Sequence, residues 1–387
     1  MSFQKIMESP FIRPSNNIKE RELVVSVDIG STETRCIVRN PATNIQSEVL
    51  AVDTGEIIIP RKLEVVYTEP DIKYNLEAII ASNSVNVHIV KGDMRSYYNK
   101  PQKVLASCAS KLDQEQTYNS ITFIIALAIL LYSVEHDESA ETTNINLMLS
   151  LPSEDVGSDA RREKAQSRLI NKFSVEFPRF AYTVNYEIKM LKLYSEVYAA
   201  ATAYAVQRGI SPRDRYVFVD CGGRNRGAII YTNGRLTSEA SITSNGGGDV
   251  YLKELSKIIQ NRTDISNPNK YAVIRSLGTG FMTNGSVSID ISECLDEAKE
   301  MLSEYLLETV LSAVDYNDLQ LNEIHTIVCT GRTMMPSICN GRITSPSVAS
   351  KLEHKIKEIC PTVNVVYYDT PNPVVKGLTY LSLKFSR

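Results

Sequence analysis

One pattern occurs twice in this 387-residue chain, about half its length apart, and constrains the fold more than any other feature. Residues 24–35 read VVSVDIGSTETR, an apolar strand that ends in Asp-x-Gly and turns back into RCIVRN. Residues 216–227 read YVFVDCGGRNRG, where a second apolar strand also ends in an aspartate and leads into a glycine turn. Either turn alone is typical of an ordinary hairpin. The repetition predicts two similar α/β domains, each opening with a β-hairpin that carries an aspartate, Asp28 or Asp220.

The remaining segments predict the elements that complete these domains. Residues 119–136 predict a buried helix, 145–152 an apolar strand ended by proline, and 195–209 a small-residue helix closed by Gly209. Farther along, helices are predicted at 246–260, 291–314 and 372–385, and a strand with a glycine turn at 325–331. The expected division is a flexible arm (1–22), a first domain (23–210, with 373–387 returning to it) and a second domain (211–372).

The composition is that of an ordinary globular protein, with 43% hydrophobic and 22% charged residues. A net charge of -3 is unlike the strongly basic surface of proteins that bind nucleic acid directly. The seven cysteines include no C-x-x-C pair, which predicts reduced thiols. None of the four histidines is spaced from another as metal ligands are, so the expected metal, if any, is a hard cation with oxygen ligands. Residues 1–22 lack the apolar core of a signal peptide, and 121–134 is too short to span a bilayer. We therefore expect a cytoplasmic protein without direct membrane binding.

The two turns contain the residues that a phosphate-binding loop needs. Backbone N–H groups converge on an anion only where small residues let the backbone come close. Such residues follow each strand: Gly30, Ser31 and Thr32 in the first half, Gly222 and Gly223 in the second. Because like charges repel, Asp28 and Asp220 would act on a polyphosphate through a hydrated Mg2+. The functional hypothesis is a pair of hairpins around one polyphosphate.

A third segment, IVCTGRTMMPSI (327–338), adds a possible base-binding loop. Thr330 and Gly331 end the predicted strand, and Pro336 is expected at or near the start of the next helix. A glycine turn at a strand end lets a flat base or sugar pack against the backbone. The structural alternative is a simple loop between a strand and a helix.

Together these segments resemble the phosphate-1, phosphate-2 and adenosine motifs of the actin, DnaK-type chaperone and sugar-kinase superfamily. VCTGRTMMPSI resembles the actin sequence at that site through its Thr-Met-x-Pro core, and GGGDVYLKEL resembles the Gly-Gly-Asp helix start after the second hairpin. SEVYAAATAYA (195–205) and PNPVVKGLTYL (371–381) are similar to the two interdomain connections of bacterial actins of the ParM type. The five motifs occur in order over residues 22–387.

The resemblance implies an actin-like fold, two similar α/β domains with mixed sheets flanking a nucleotide cleft. It also implies ATP or GTP as ligand, with Mg2+ held by Asp28 and Asp220 through water. Glu196 would orient or polarise the attacking water, so the implied catalytic residues are Glu196, Asp220 and Asp28. The alternative role for Glu196 is that of an acid favoured by the helix dipole. The implied nucleotide-binding residues are Gly30, Ser31, Thr32, Arg35, Gly222, Gly223, Arg224, Gly248, Thr330, Gly331, Arg332 and Met335.

Four arginines at three sites depart from the family pattern. Arg35 stands where actin and ParM proteins carry a phosphate-contacting lysine, and a planar guanidinium is not a point charge. Arg224 and Arg226 follow Gly223, where the family has threonines and a later aspartate; they would reach phosphate or face a neighbour. Arg332 replaces a small residue of the adenosine loop, which leaves the choice between adenine and guanine open.

Fold does not fix function, so the choice among superfamily members is argued separately. Chain length and the two ParM-like connections favour a nucleotide-hydrolysing actin that self-associates into filaments. Such a protein would segregate plasmid DNA through a DNA-binding adaptor of the ParR type, and the near-neutral charge agrees with indirect DNA contact.

The other members are less well supported. A small-molecule kinase acting on a sugar or acetate-type substrate would need an acid–base residue and substrate loops that are not evident. A chaperone-type ATPase would need a further substrate domain. A membrane-attached scaffold would need an anchor, and the tail LTYLSLKFSR is a poor one.

Overall fold

The computed structural model describes residues 14–30, 33–47, 49–53, 78–82, 85–90, 111–113, 115–177, 182–223, 225–268, 270–284 and 287–383. The chain divides into two compact units, Met1–Ser195 with Val374–Arg387, and Glu196–Pro373. The expected division placed residues 196–210 in the first domain. The helix in that stretch packs on strands of the second unit instead, which moves the boundary to residue 195.

The described elements of the first unit begin with five strands, which are followed by helices and further strands. In chain order they are β1 (Asn16–Ile29), β2 (Glu33–Arg39), β3 (Leu50–Asp53), β4 (Ala78–Ser82), β5 (Val85–Val90), α1 (Glu115–Glu135), β6 (Glu138–Leu151), α2 (Ser153–Gly157), α3 (Asp159–Leu169), β7 (Lys172–Phe177) and β8 (Tyr182–Ser195). The apolar run of α1 is buried almost without interruption, as predicted, because this helix packs against β1, β2, β6, β7 and β8.

The elements of the second unit follow directly. They are α4 (Glu196–Arg208), β9 (Tyr216–Cys221), β10 (Asn225–Thr232), β11 (Arg235–Asn245), α5 (Gly248–Arg262), α6 (Lys270–Ser276), β12 (Phe281–Asn284), β13 (Val287–Asp290), α7 (Ser292–Tyr316), β14 (Thr326–Thr330), β15 (Ser337–Cys339), β16 (Arg342–Ser345), α8 (Val348–Ile359) and β17 (Asn364–Tyr367). Helix α9 (Pro373–Ser382) then returns to the first unit.

The two main sheets repeat one plan. The first has the order β3-β2-β1-β6-β8-β7-β4-β5, and the second has the order β11-β10-β9-β14-β17. In both, three consecutive strands pair antiparallel, and the earliest of the three then pairs in parallel with a later strand. A second parallel strand follows, β8 or β17. The prediction of two similar α/β domains with mixed sheets is confirmed.

The predicted N-terminal arm ends too late. Strand β1 begins at Asn16, not after residue 22, and its polar half pairs in parallel with β6 from Glu138 onward. Arg21 is buried there; its guanidinium donates to Thr143 Oγ1 at 3.1 Å and to Ser133 Oγ at 2.6 Å. A strand is held by backbone hydrogen bonds to its neighbour and does not require apolar side chains. The mixed charges of this stretch therefore hid the first half of β1 from a prediction based on apolar residues.

The segment after Pro336 is also different from the prediction. A short hairpin, β15–β16, stands where a helix was expected, and α8 begins only at Val348. Asn340 and Gly341 form its turn with φ values of 50° and 75°. This Asn-Gly pair is a strong local hairpin signal.

Candidate functional site

In the first unit, Asp28 lies at the end of β1 and is held on two sides. Its side chain is almost fully buried. Ser150, its neighbour in register on the parallel strand β6, donates its hydroxyl hydrogen to Asp28 Oδ1 at 2.8 Å. Arg35, directly opposite on β2, places Nη1 3.2 Å from Asp28 Oδ2. The buried carboxylate therefore has a hydroxyl donor and a cation as partners.

Arg35, predicted to contact phosphate, lies in an ion pair with Asp28 in this structure. The two residues face each other across the β1–β2 ladder, so the pairing follows from the hairpin register. Gly30 follows β1 and is partly exposed. Ser31 and Thr32, the other predicted phosphate ligands of this turn, lie outside the described residues.

The second unit places its aspartate in the matching position. Asp220 is the penultimate residue of β9, is 9% exposed, and lies in register with Thr330 of the parallel strand β14. The turn that follows is closed by a hydrogen bond from Gly222 N to Asn225 O at 2.9 Å. A Cβ atom added at Gly222 would lie 4.0 Å from Asp220 Oδ2, so the carboxylate sits against the turn.

The start of α5 is attached to this turn through its own backbone. Gly248 N donates to Gly222 O at 2.9 Å, and Asp249 N donates to Gly223 O at 2.6 Å. A Cβ atom at Gly248 would come within 2.6 Å of Thr333 Cγ2 and 3.5 Å of Gly223 Cα. A side chain at position 248 would therefore displace the Thr333 methyl group, while its distance from the backbone of the turn would be an ordinary contact.

The loop after β14 completes the cluster. Gly331 has φ 118°, and a Cβ atom there would overlap the carbonyl oxygen of Cys221. Thr333, in the short 3-10 helix Arg332–Met334, donates from Oγ1 to that same carbonyl oxygen at 3.0 Å. Three glycine-containing segments, predicted separately from sequence, therefore meet at the carboxyl ends of β9 and β14.

Cys221 and Cys329 lie buried beside this cluster. Burial raises the pKa of each thiol to about 12. Both thiols therefore stay protonated at neutral pH, where a thiolate would be needed for nucleophilic attack. They serve as small core residues, in agreement with the predicted reduced thiols, and all six described cysteines are free.

The other predicted site residues are placed as follows. Glu196 is half-buried and is the first residue of α4, directly after β8. Met335 is 42% exposed, whereas its neighbour Met334 is fully buried. Arg332 begins the 3-10 helix. Arg224 lies outside the described residues.

Three residues that the sequence analysis did not assign shape the site. Ser150 holds Asp28, Thr333 joins two loops, and Arg226 is buried and donates to Gly246 O at 2.9 Å. Ser150 could have been identified from the sequence, because it is a hydroxyl residue near the end of an otherwise apolar stretch of strand. The role of Arg226 depends on long-range packing, which the sequence does not display.

Oxygen ligands for a hydrated Mg2+ are present in both units. Asp28 and Asp220 each offer a carboxylate at the carboxyl end of a strand. Within the described residues no group of three or more His, Cys, Asp or Glu side chains could hold a metal ion. A carboxylate at such a strand end suits Mg2+, which usually keeps several waters and takes one or two carboxylates plus phosphate oxygens.

Solved structures of known proteins share this architecture. A ParM subunit of a 15-stranded filament from Clostridium botulinum has a TM-score of 0.61 and 14% identity, covering 94% of this chain and 100% of that one. The archaeal actin homologue Ta0583 has a TM-score of 0.60 and 14% identity, covering 94% and 99%. Bacillus thuringiensis ParM with ATP has a TM-score of 0.60 and 14% identity, covering 95% and 100%.

The chain has the actin-like fold. The structural likeness extends over nearly the whole of each compared chain. No protein-family model and no curated protein matches the sequence. None of the helices in the described part of the chain combines the length and apolar character needed to cross a membrane.

Proposed function

We propose that this actin-like chain binds and hydrolyses ATP, with GTP as the alternative nucleotide, in the presence of Mg2+ and assembles into filaments. The observation that carries the proposal is the glycine cluster of the second unit, where Gly222, Gly248 and Gly331 bring three backbone segments together beside Asp220. Glycines beside a carboxylate give the phosphates of a metal-bound polyphosphate room to approach the backbone closely. The likeness to a ParM filament and to a ParM with ATP supports both parts of the proposal.

Most of the predicted residues have a role in this proposal. Gly222 and Gly223, with Gly30, Ser31 and Thr32 of the first hairpin, contact the phosphates. Asp28 and Asp220 hold Mg2+ through water, and the bound ion neutralises phosphate charge. Glu196 orients the water that attacks the terminal phosphate, so hydrolysis consists of positioning and charge stabilisation.

The base would lie against the loop that follows β14. Gly331 presents bare backbone, and Thr330, Arg332 and Met335 flank it. Met335 is exposed enough to contact a flat ring, whereas Met334 belongs to the core. Arg332 is the residue that we expect to decide between adenine and guanine, because a guanidinium donates to a carbonyl oxygen of guanine.

The proposed cellular role is segregation of plasmid DNA through a ParR-like adaptor. Self-association and nucleotide hydrolysis are the parts that purified protein can test directly. The adaptor and its DNA would be identified by pull-down with assembled filaments as bait, using unassembled protein without nucleotide as the matched control.

The deciding experiment measures light scattering, pelleting and negative-stain images with ATP or GTP, each with Mg2+ or with EDTA. We expect assembly and phosphate release only with Mg2+ and the preferred nucleotide. Asp220→Asn should abolish both, whereas Asp264→Asn, a change of the same kind at an exposed position, should abolish neither. Absence of assembly with both nucleotides, together with phosphorylation of a sugar, would establish the kinase alternative.

A further inference from the structure

A buried arginine joins α7 to the loop that precedes α5. Arg226, on β10, is 9% exposed. Its Nε donates to Thr309 Oγ1 at 2.7 Å, and its Nη1 donates to Gly246 O at 2.9 Å. The guanidinium carbon lies 5.1 Å from the centroid of the Tyr305 ring, within the range of a cation–π contact. One side chain therefore connects a long helix of the second unit to its glycine loop.

The backbone at Gly246 is fitted to this arginine. Gly246 has φ 92°, a conformation that disfavours any other residue. A Cβ atom there would also lie 2.9 Å from Arg226 Nη1 and 3.2 Å from Val250 Cγ2. A side chain at position 246 would displace the guanidinium, so the loop and the arginine depend on each other.

The next three residues lead directly into the glycine cluster. Gly247 is the N-cap of α5, and the amides of Gly248 and Asp249 donate to the turn at 222–223. Only one residue separates the anchored carbonyl of Gly246 from the first of these amides. The hydrogen bond from Arg226 to the carbonyl of Gly246 therefore fixes the position from which the start of α5 approaches the turn at 222–223.

We infer that Arg226 is a positioning residue of the nucleotide site, which it organises from behind through the carbonyl of Gly246. The inference rests on the proposed function. It also gives Arg226 a different role from a phosphate ligand, since its guanidinium is engaged with Thr309 and Gly246. The planar fork of arginine reaches two acceptors in separate directions, whereas the ammonium of lysine has no rigid fork.

Two measurements on Arg226→Met and Arg226→Lys test this inference. Hydrogen exchange of the Gly248 and Asp249 amides in nucleotide-free protein reports the loop itself. Affinity for a fluorescent ATP or GTP analogue reports the site. For Arg226→Met we expect exchange at both amides to rise about tenfold or more and nucleotide affinity to fall about tenfold, the effect of losing one charge-assisted hydrogen bond. Arg226→Lys should recover part of each loss.

Leu306→Ala is the matched control for general destabilisation. Leu306 is fully buried on the same helix, α7, and has no hydrogen bond to the loop. We expect this variant to unfold at a lower urea concentration, with nucleotide affinity of the folded protein within about twofold of wild type. If Leu306→Ala weakens nucleotide binding as much as Arg226→Met, the effect of Arg226 is general stability and the inference is overturned.

The outcomes separate this inference from the proposed function. Unchanged exchange at Gly248 and Asp249 in Arg226→Met overturns the positioning role, whatever the nucleotide result. Wild-type affinity in that variant overturns it as well. Wild-type protein that binds neither ATP nor GTP refutes the proposed function, while raised exchange in the variant would still support the anchoring of the loop.

Discussion

Replacement of one buried lysine should change how stability depends on pH. Lys299 on α7 is 1% exposed. Its ammonium donates to Ser337 Oγ and to Pro346 O, each at 3.0 Å. Burial lowers the pKa of Lys299 to about 8, the nearby Asp296 opposes this shift, and Lys351 adds to it. The lysine thus joins α7 to the β15–β16 hairpin at the cost of desolvating its charge.

The magnitude follows from proton linkage. In the unfolded chain the lysine has its ordinary pKa of 10.5. Between the two pKa values the unfolded chain holds a proton that the folded chain has lost, so the free energy of unfolding rises with pH through this window. The penalty for burying the charge is about 3 kcal/mol at pH 7 and about 2 kcal/mol at pH 9. The gain from pH 7 to pH 9 is about 1 kcal/mol.

Urea unfolding of wild type and Lys299→Met at pH 7 and pH 9 measures this gain. Methionine keeps an unbranched side chain of similar length but removes the charge. Titrations of other groups are common to both proteins and cancel in the difference. We expect wild type to gain about 1 kcal/mol relative to the variant over this range. Lys357→Met, a control at an exposed lysine on α8, should shift by only a few tenths of a kcal/mol.

The reasoning would be refuted by parallel pH profiles for wild type and Lys299→Met. The hydrogen bonds lost in the variant cannot produce the expected signal. The part of their energy that does not depend on the charge of the lysine is the same at both pH values, and the part that does is already contained in the lowered pKa of Lys299.

Three further changes have defined outcomes. Gly331→Ala should lower the free energy of unfolding, measured by urea titration, by more than about 2 kcal/mol. The added Cβ atom would sit on a backbone with positive φ and would also clash with the carbonyl oxygen of Cys221. Gly341→Ala also has positive φ but meets no atom within 4 Å, so it should cost only about 1 kcal/mol. Glu196→Ala should slow phosphate release and lengthen filament lifetime, and an unchanged rate would remove Glu196 from the mechanism. Asp220→Asn should reduce the Mg2+-dependent gain in nucleotide affinity more than Asp28→Asn, measured by titration with and without Mg2+; equal effects would contradict this ranking.

The sequence predicted well where the signal is local. An apolar strand that ends in an aspartate and a glycine turn is visible in a dozen residues, and both hairpins are where they were expected. Gly209 closes α4 with φ 62°, as its position after a small-residue helix predicted. The three glycine segments of the second unit were identified separately. The parallel pairing of β9 with β14 brings two of them together, and backbone hydrogen bonds from Gly248 and Asp249 add the third.

The sequence predicted poorly where long-range pairing decides. The polar half of β1 looks like an arm until β6 is placed beside it. The partners of Arg226 lie 83 residues ahead on α7 and 20 residues ahead at Gly246, and no spacing rule connects them. The β15–β16 hairpin was missed for another reason: Pro336 favoured a helix start, whereas the local turn signal is the Asn-Gly pair at 340–341.

The repeat also shows why its two aspartates are not equivalent. Each faces a hydroxyl residue on the parallel strand beside it, Ser150 for Asp28 and Thr330 for Asp220. On the antiparallel side the pattern breaks, because Asp28 faces Arg35 whereas Asp220 faces Gly227, which brings no side chain. The guanidinium already compensates the buried carboxylate of Asp28 and competes there with a divalent cation. Mg2+ should therefore depend more on Asp220.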